Sequence, residues 1–285
     1  MNAGAEPAPQ KRLIIQHYCL SLAQSEMMDG ANASNESATS ASVAPHDSVA
    51  RTVVLHLLPG AFVFAFYVWL APYVVRLGFP PGLTLLLGFL FVGIPMELGY
   101  LLHEGRKRNG KLSLHGIVLF RARMPTWQYA VLFILLFAFT FAALYLLNPA
   151  TTYLARTVFA WLPTFLLPDG SSSYGPFARS AVLATLILGL IVDGIVNPIV
   201  EELYFRGYLL PRLSRFGGVA PLINAFLFAL QHYWQPYNFP LIFIIQLAVV
   251  YVVWWKRNIY VSILAHSMGN LIGASLSLVG FLGSS

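Results

Sequence analysis

Three short stretches of this chain carry side chains that hydrocarbon does not tolerate. They are Glu201-Glu202-Leu203-Tyr204-Phe205-Arg206, then Phe228-x-x-x-His232, then His266-x-x-x-Asn270. Each lies inside an apolar run, where an ionisable group costs on the order of 3 kcal/mol on insertion scales. Glu202 and Arg206 stand i,i+4 on one helix face and can neutralise each other. Glu201 is turned about 100° away and has no partner in its own helix. His266 and Asn270 again share a face at i,i+4.

The spacing also brings these groups to one depth. Glu201 precedes Gly217 by 16 residues and His232 follows it by 15, with a turn expected at Gly217-Gly218. In an antiparallel hairpin both side chains then sit about 23 Å from the turn. A carboxylate beside an imidazole in a low-dielectric cavity polarises water. An imidazole and an amide on one helix face donate to a developing oxyanion. Glu201 and His232 suit the first role, and His266 and Asn270 suit the second. Glu202 with Arg206 reads as a supporting pair that turns Glu201 inward.

Metal chemistry is the rival reading. Glu201, His232 and His266 would make a two-His, one-Glu set for Zn2+. The helical HExxH string is absent, and the nearest segment, His103-Glu104-Gly105-Arg106-Lys107, lacks its second His. Both readings stay open, with metal-free glutamate chemistry favoured. Two further hydrolytic constellations fail on counting. An aspartyl dyad needs two Asp within the apolar helices, and Asp193 is the only one. A serine nucleophile at Ser275 would need a later His, and His266 is the last in the chain.

The three motifs, in this order and each on its own apolar run, resemble the signature motifs of the CAAX prenyl endopeptidase type II family, which includes the bacterial CAAX protease and bacteriocin-processing (CPBP) membrane proteins. The resemblance covers about residues 180–285. It implies an intramembrane endopeptidase, sometimes described as a metalloprotease, with catalytic roles on Glu201, His232, His266 and Asn270. Its substrate would be a membrane-associated peptide or protein, prenylated or of bacteriocin type. A catalytically inactive immunity or scaffold protein, or a transporter using the same polar cluster, is the alternative. A transporter should show repeated halves, and none is evident.

These groups need a scaffold, and composition names it. Of 285 residues, 58% are hydrophobic and 10% charged, with mean hydropathy +0.69. Soluble domains carry about a quarter charged residues, so the chain reads as a polytopic transmembrane helix bundle, all-α, with the bilayer as partner. Cys19 is the only cysteine, which excludes a disulfide-stapled fold. The pI near 9.5 is assigned to cytoplasmic loops and not to nucleic acid. Helices are expected at 53–75, 83–102, 127–147, 180–214, 218–236, 239–255 and 259–282, about seven spans. The domain plan is a disordered tail over 1–50, N-terminal transmembrane helices over 51–150, an extramembrane loop over 151–179 and a catalytic domain over 180–285. Gln16 and His17 interrupt the apolar run after Lys11-Arg12, so no cleaved signal is expected. Glu97, after Pro95, is expected to reach the interface, and His56 to have no special role. Pro198 is expected to kink the helix that carries the Glu pair.

Basic residues orient the bundle. Six of the 17 Lys and Arg fall in 103–126. Strict alternation of spans puts 13 on one side against Arg76, Arg156 and Arg179 on the other. By the positive-inside rule the N-terminus and these loops face the cytoplasm. A topology reporter placed at Asn109 should therefore read cytoplasmic, and a reporter active only outside the cell would contradict the orientation.

Overall fold

A computed structural model describes residues 48–168 and 174–283. The tail expected over 1–50 thus lies, up to residue 47, outside the described residues. Seven helices follow in chain order: α1 Val49–Arg76, α2 Pro81–Asn109, α3 Thr126–Arg156, α4 Arg179–Arg212, α5 Ser214–Leu230, α6 Phe239–Lys256 and α7 Tyr260–Gly283. Among the described residues there is no strand, only one isolated bridge between Arg121 and Asn258. The chain is an all-α bundle. Six helices are long and apolar enough to cross a bilayer, α6 being counted from Pro236; Ser214–Leu230 is shorter.

Helix ends follow local chemistry. Ser48 caps α1, its hydroxyl accepting from the Arg51 amide at 3.2 Å. Pro81 opens α2 at a position where no amide is missed. Gly110, at φ +69°, closes α2 with its amide on Arg106 O. Asn258 starts α7: its Oδ1 accepts from the amides of Tyr260 (2.8 Å) and Val261 (3.3 Å). The same side chain donates to Ala122 O and to the Tyr129 hydroxyl, tying the α6–α7 turn to the start of α3.

Three boundaries differ from the sequence reading, the first being that the helix expected at 83–102 runs on to Asn109. The helix expected at 127–147 runs on through Pro149 to Arg156. The helix expected at 218–236 stops at Leu230, because Gln235 precedes Pro236 and takes a non-helical conformation (φ −145°, ψ 59°). His232 therefore sits in a turn just past the end of α5, not on the helix.

Three prolines shape the interior of α2 and α4. Before each of Pro95, Pro198 and Pro211 the helix widens to π winding, over Phe89–Gly93, Val192–Val196 and Glu202–Leu209. In each case the residue preceding the proline donates five residues back: Ile94 to Phe89 O, Asn197 to Val192 O, Leu210 to Phe205 O. Proline lacks an amide and its ring crowds the carbonyl four residues earlier, and an inserted residue relieves that crowding. Carbonyls are left over as a result. Gly207 O, whose partner four residues on would be Pro211, accepts instead from the Leu119 amide at 2.7 Å. A Cβ on Gly207 would lie 2.5 Å from Val118, so only glycine lets this loop approach.

Packing then gathers the carriers of the motifs. α5 runs along α6, α1 along α2, and α7 lies against the π segment of α4 around Gly194. His56 is fully buried and joins three helices. Its Nδ1 donates to Thr52 O at 2.7 Å, and its Nε2 accepts from Asn224 Nδ2 at 3.0 Å, which also donates to Phe205 O. The sequence reading gave it no role; it is a tie between α1, α4 and α5.

Gly60 on α1 is packed onto the turn that carries His232, since a Cβ there would lie 2.1 Å from Gln231 O. Gly60→Ala should lower unfolding free energy by about 1–3 kcal/mol, the usual cost of forcing extra volume into a packed core. A thermal melt in detergent checks this, and an unchanged midpoint would contradict the packing.

Candidate active site

Glu201 and Glu202 sit at the junction where the short α-helical turn Asn197–Glu201 passes into the π segment Glu202–Leu209. Both are buried, as is Arg206. Their environments differ. Glu202 is shut away from the cavity, whereas Glu201 lines it. That cavity, of about 660 Å³, is also lined by His232, His266 and Asn270, with Asn197 and Asp193 about one and two turns before Glu201. Asp193, Asn197 and Glu201, spaced by four on α4, thus face one space.

Arg206 anchors the floor beneath it. Its Nη1 lies 3.1 Å from Glu202 Oε1, and both side chains are fully buried. Its Nη2 donates to Gln246 Oε1 from α6. The guanidinium also lies 3.9 Å over the Phe228 ring centroid, a desolvated cation–π contact. Glu202 Oε1 takes a second partner, accepting from His266 Nδ1 at 2.9 Å. A chain of polar contacts therefore runs Gln246, Arg206, Glu202, His266 across α6, α4 and α7.

The two histidines are oriented by opposite means. His232 Nδ1 donates to Phe228 O at 2.7 Å, so the lone pair is on Nε2. Phe228 and Trp234 rings flank it at 4.9 and 5.0 Å. His266 is held by Glu202, and its Nε2 comes within 3.8 Å of Glu201 Oε2. Asn270 Nδ2 donates to Asp193 O at 3.0 Å. That carbonyl is free for a local reason: the Asn197 amide has gone to Val192 O, and Pro198 has no amide. Gly194 allows the approach, because a Cβ there would stand 3.2 Å from Leu271.

Two residues were misplaced or passed over by the sequence reading. Glu97 does not reach the interface. It is 3% exposed, with Oε2 unpartnered, and feels the charges of Glu201, Arg206 and Glu202. The cause is a boundary: α2 extends to Asn109, so Glu97 is mid-helix and not near an end. Gln246 was passed over, although it is the one amide side chain in α6 and so carried a signal.

A zinc ion needs several donors converging on one point. Among the described residues no group of three or more His, Cys, Asp or Glu is placed to hold a metal ion. Glu201, His232 and His266 line one cavity without forming such a set, and the Nδ1 atoms of both histidines are engaged by protein acceptors.

Removing Arg206 alone strands Glu202 in the interior. Breaking a buried pair this way costs about 3–5 kcal/mol. Arg206→Ala should therefore reduce folded yield and melting temperature along with activity, and the double variant Glu202→Gln, Arg206→Gln should recover much of the stability. An Arg206→Ala protein of wild-type stability but without activity would instead place Arg206 among substrate-binding groups.

Residues 183–272, about a third of the chain, match the family model described as type II CAAX prenyl endopeptidase Rce1-like. The matched stretch contains Glu201, Glu202, Arg206, His232, Gln246, His266 and Asn270. No curated protein and no solved structure matches the chain. The family match and the six apolar helices together make this a multi-pass membrane protein. The match supports the CAAX prenyl endopeptidase type II family for this chain, the family that the three motifs resemble.

Proposed function

We propose that the chain is an intramembrane endopeptidase that hydrolyses a peptide bond of a membrane-associated substrate with a water activated by Glu201 and His232. The observation that carries this reading is the shared cavity: Glu201 from α4, His232 from the turn after α5, and His266 and Asn270 from α7 all line it. Its remaining walls include Leu85, Leu86, Phe89, Leu144, Ile242 and Val249, apolar surface suited to the greasy end of a lipid-held peptide.

The roles follow from the hydrogen-bond geometry. Glu201 is the one carboxylate of the Glu pair that faces the cavity, so it takes a proton from water as the water oxygen attacks the peptide carbonyl carbon. His232 Nε2, an acceptor, holds the second O–H of that water and aims the lone pair. The oxyanion that forms is met by donors from α7: the Nε2–H of a doubly protonated His266, whose Nδ1–H is on Glu202, and the remaining Nδ2 hydrogen of Asn270. Collapse of the tetrahedral intermediate breaks the C–N bond, and Glu201 returns its proton to the leaving amine. The products are a free carboxylate and a free amine. Glu202 and Arg206 act through His266 and through the shape of the helix, without touching the substrate.

Zinc-dependent hydrolysis by Glu201, His232 and His266 is the other version of this chemistry. Among the described residues these three do not converge as a ligand set. With the N-terminus in the cytoplasm, the basic loops around 103–126 and 256–258 would place the nearer mouth of the hairpin on the cytoplasmic side.

The test is cleavage of a lipidated membrane peptide by the purified protein in bilayers. Glu201→Gln and His232→Ala should each abolish turnover while leaving the melting temperature near wild type. Because both act in one step, the double variant should lose little more than either single variant. Wild-type turnover in either one would remove it from the mechanism.

A further inference from the structure

Gln246 and His266 are the two ends of the polar chain beneath the cavity and both line the cavity itself, whereas Arg206 and Glu202 between them do not. The orientation of Gln246 is dictated by chemistry. A guanidinium has only donors, so the amide must turn its oxygen to Arg206 and its NH2 group away. Among the described residues the side chain has that one hydrogen bond only, which leaves both Nε2 hydrogens without a protein partner. Nε2 is nevertheless absent from the atoms that are both sealed from solvent and unpaired, so it opens to the cavity. Two preset donors therefore face the same space as Glu201, His232 and His266.

The expected oxyanion donors are partly engaged elsewhere. Asn270 Nδ2 is already on Asp193 O, and the His266 ring is drawn to the two glutamates, 2.9 Å from Glu202 and 3.8 Å from Glu201. Gln246 has no such competing acceptor. Resting on the endopeptidase reading above, we propose that Gln246 is a further catalytic residue, whose Nε2 donates to the carbonyl oxygen of the scissile peptide and to the oxyanion formed from it. Arg206 then has a second function, as the group that fixes which end of the amide faces the substrate.

Two variants separate this from a purely bracing role. Gln246→Glu keeps an oxygen for Arg206 but has no donor. Gln246→Met is neutral and has neither. Only loss of the donor is common to both. Turnover of a lipidated peptide in bilayers should fall about 10²-fold in each, the usual loss for one oxyanion donor, while the melting temperature falls only in Gln246→Met. Affinity for a lipid-anchored peptide with a phosphonate at the scissile position should fall at least tenfold in Gln246→Met, and this binding is readable whether or not cleavage occurs. Wild-type turnover in Gln246→Glu with loss in Gln246→Met would overturn the proposal and leave Gln246 a brace for Arg206. Unchanged phosphonate affinity in Gln246→Met would overturn it too. Should the wild-type protein bind the phosphonate through Gln246 yet cleave no peptide, the endopeptidase reading fails and the donor assignment stands.

Discussion

A guanidinium with no access to water must have its partners built around it, and Arg206 imposes that requirement on three helices. Its charge is met by Glu202 one turn back, its second nitrogen by Gln246 of α6, and its face by the Phe228 ring. Leaving any buried charge uncompensated would cost several kcal/mol, so α4, α5 and α6 can pack in few other ways. Glu202 then has an acceptor lone pair to spare, and His266 of α7 takes it. One buried cation thereby fixes the ring plane of a cavity histidine from below. Glu201, next in sequence but turned to the cavity, is left out of this pairing, and its carboxylate faces the cavity.

Proline supplies the second constraint, through the carbonyls it leaves unpaired. The interior prolines of α2 and α4 are each preceded by π winding, and two of the freed carbonyls become attachment points. Asp193 O receives Asn270 of α7, and Gly207 O receives the Leu119 amide from the loop between α2 and α3. Inside a membrane an unpaired carbonyl has no water to turn to. The backbone defect caused by Pro198 thus positions one of the four cavity side chains, and the defect caused by Pro211 seats a loop against α4.

Much of this was legible in the residue pattern, and the failures have physical causes. The Glu pair, both histidines and Asn270 stand out because ionisable and amide groups are costly in apolar runs. The common depth of Glu201 and His232 followed from counting residues to the Gly217-Gly218 turn, where Gly217 does adopt a positive φ of 54°. Hydropathy located every helix, yet it is blind to where an apolar helix stops: α5 ends at Leu230 on a proline signal six residues later, and α3 runs through Pro149. Helical-wheel angles assume 3.6 residues per turn and miss π winding at the Glu pair itself. Glu97 was misread because α2 was cut short, and Gln246 because a lone amide in a hydrophobic helix looks like an ordinary packing residue. Gly60 had no signal at all, since its importance lies in a backbone contact with Gln231 from distant sequence.

The central claim is that Arg206 acts on the cavity through Glu202, by holding a proton on His266 Nδ1. Nitrogen-15 spectra of the histidines in lipid nanodiscs test it most directly, because ring-nitrogen shifts report which atom bears hydrogen. The expected result is Nδ1–H for His266 in the wild-type protein, its signal shifting in Glu202→Gln, while His232 keeps Nδ1–H in both. A folded wild-type protein with a bare Nδ1 on His266, or a His266 signal that ignores Glu202→Gln, would contradict it.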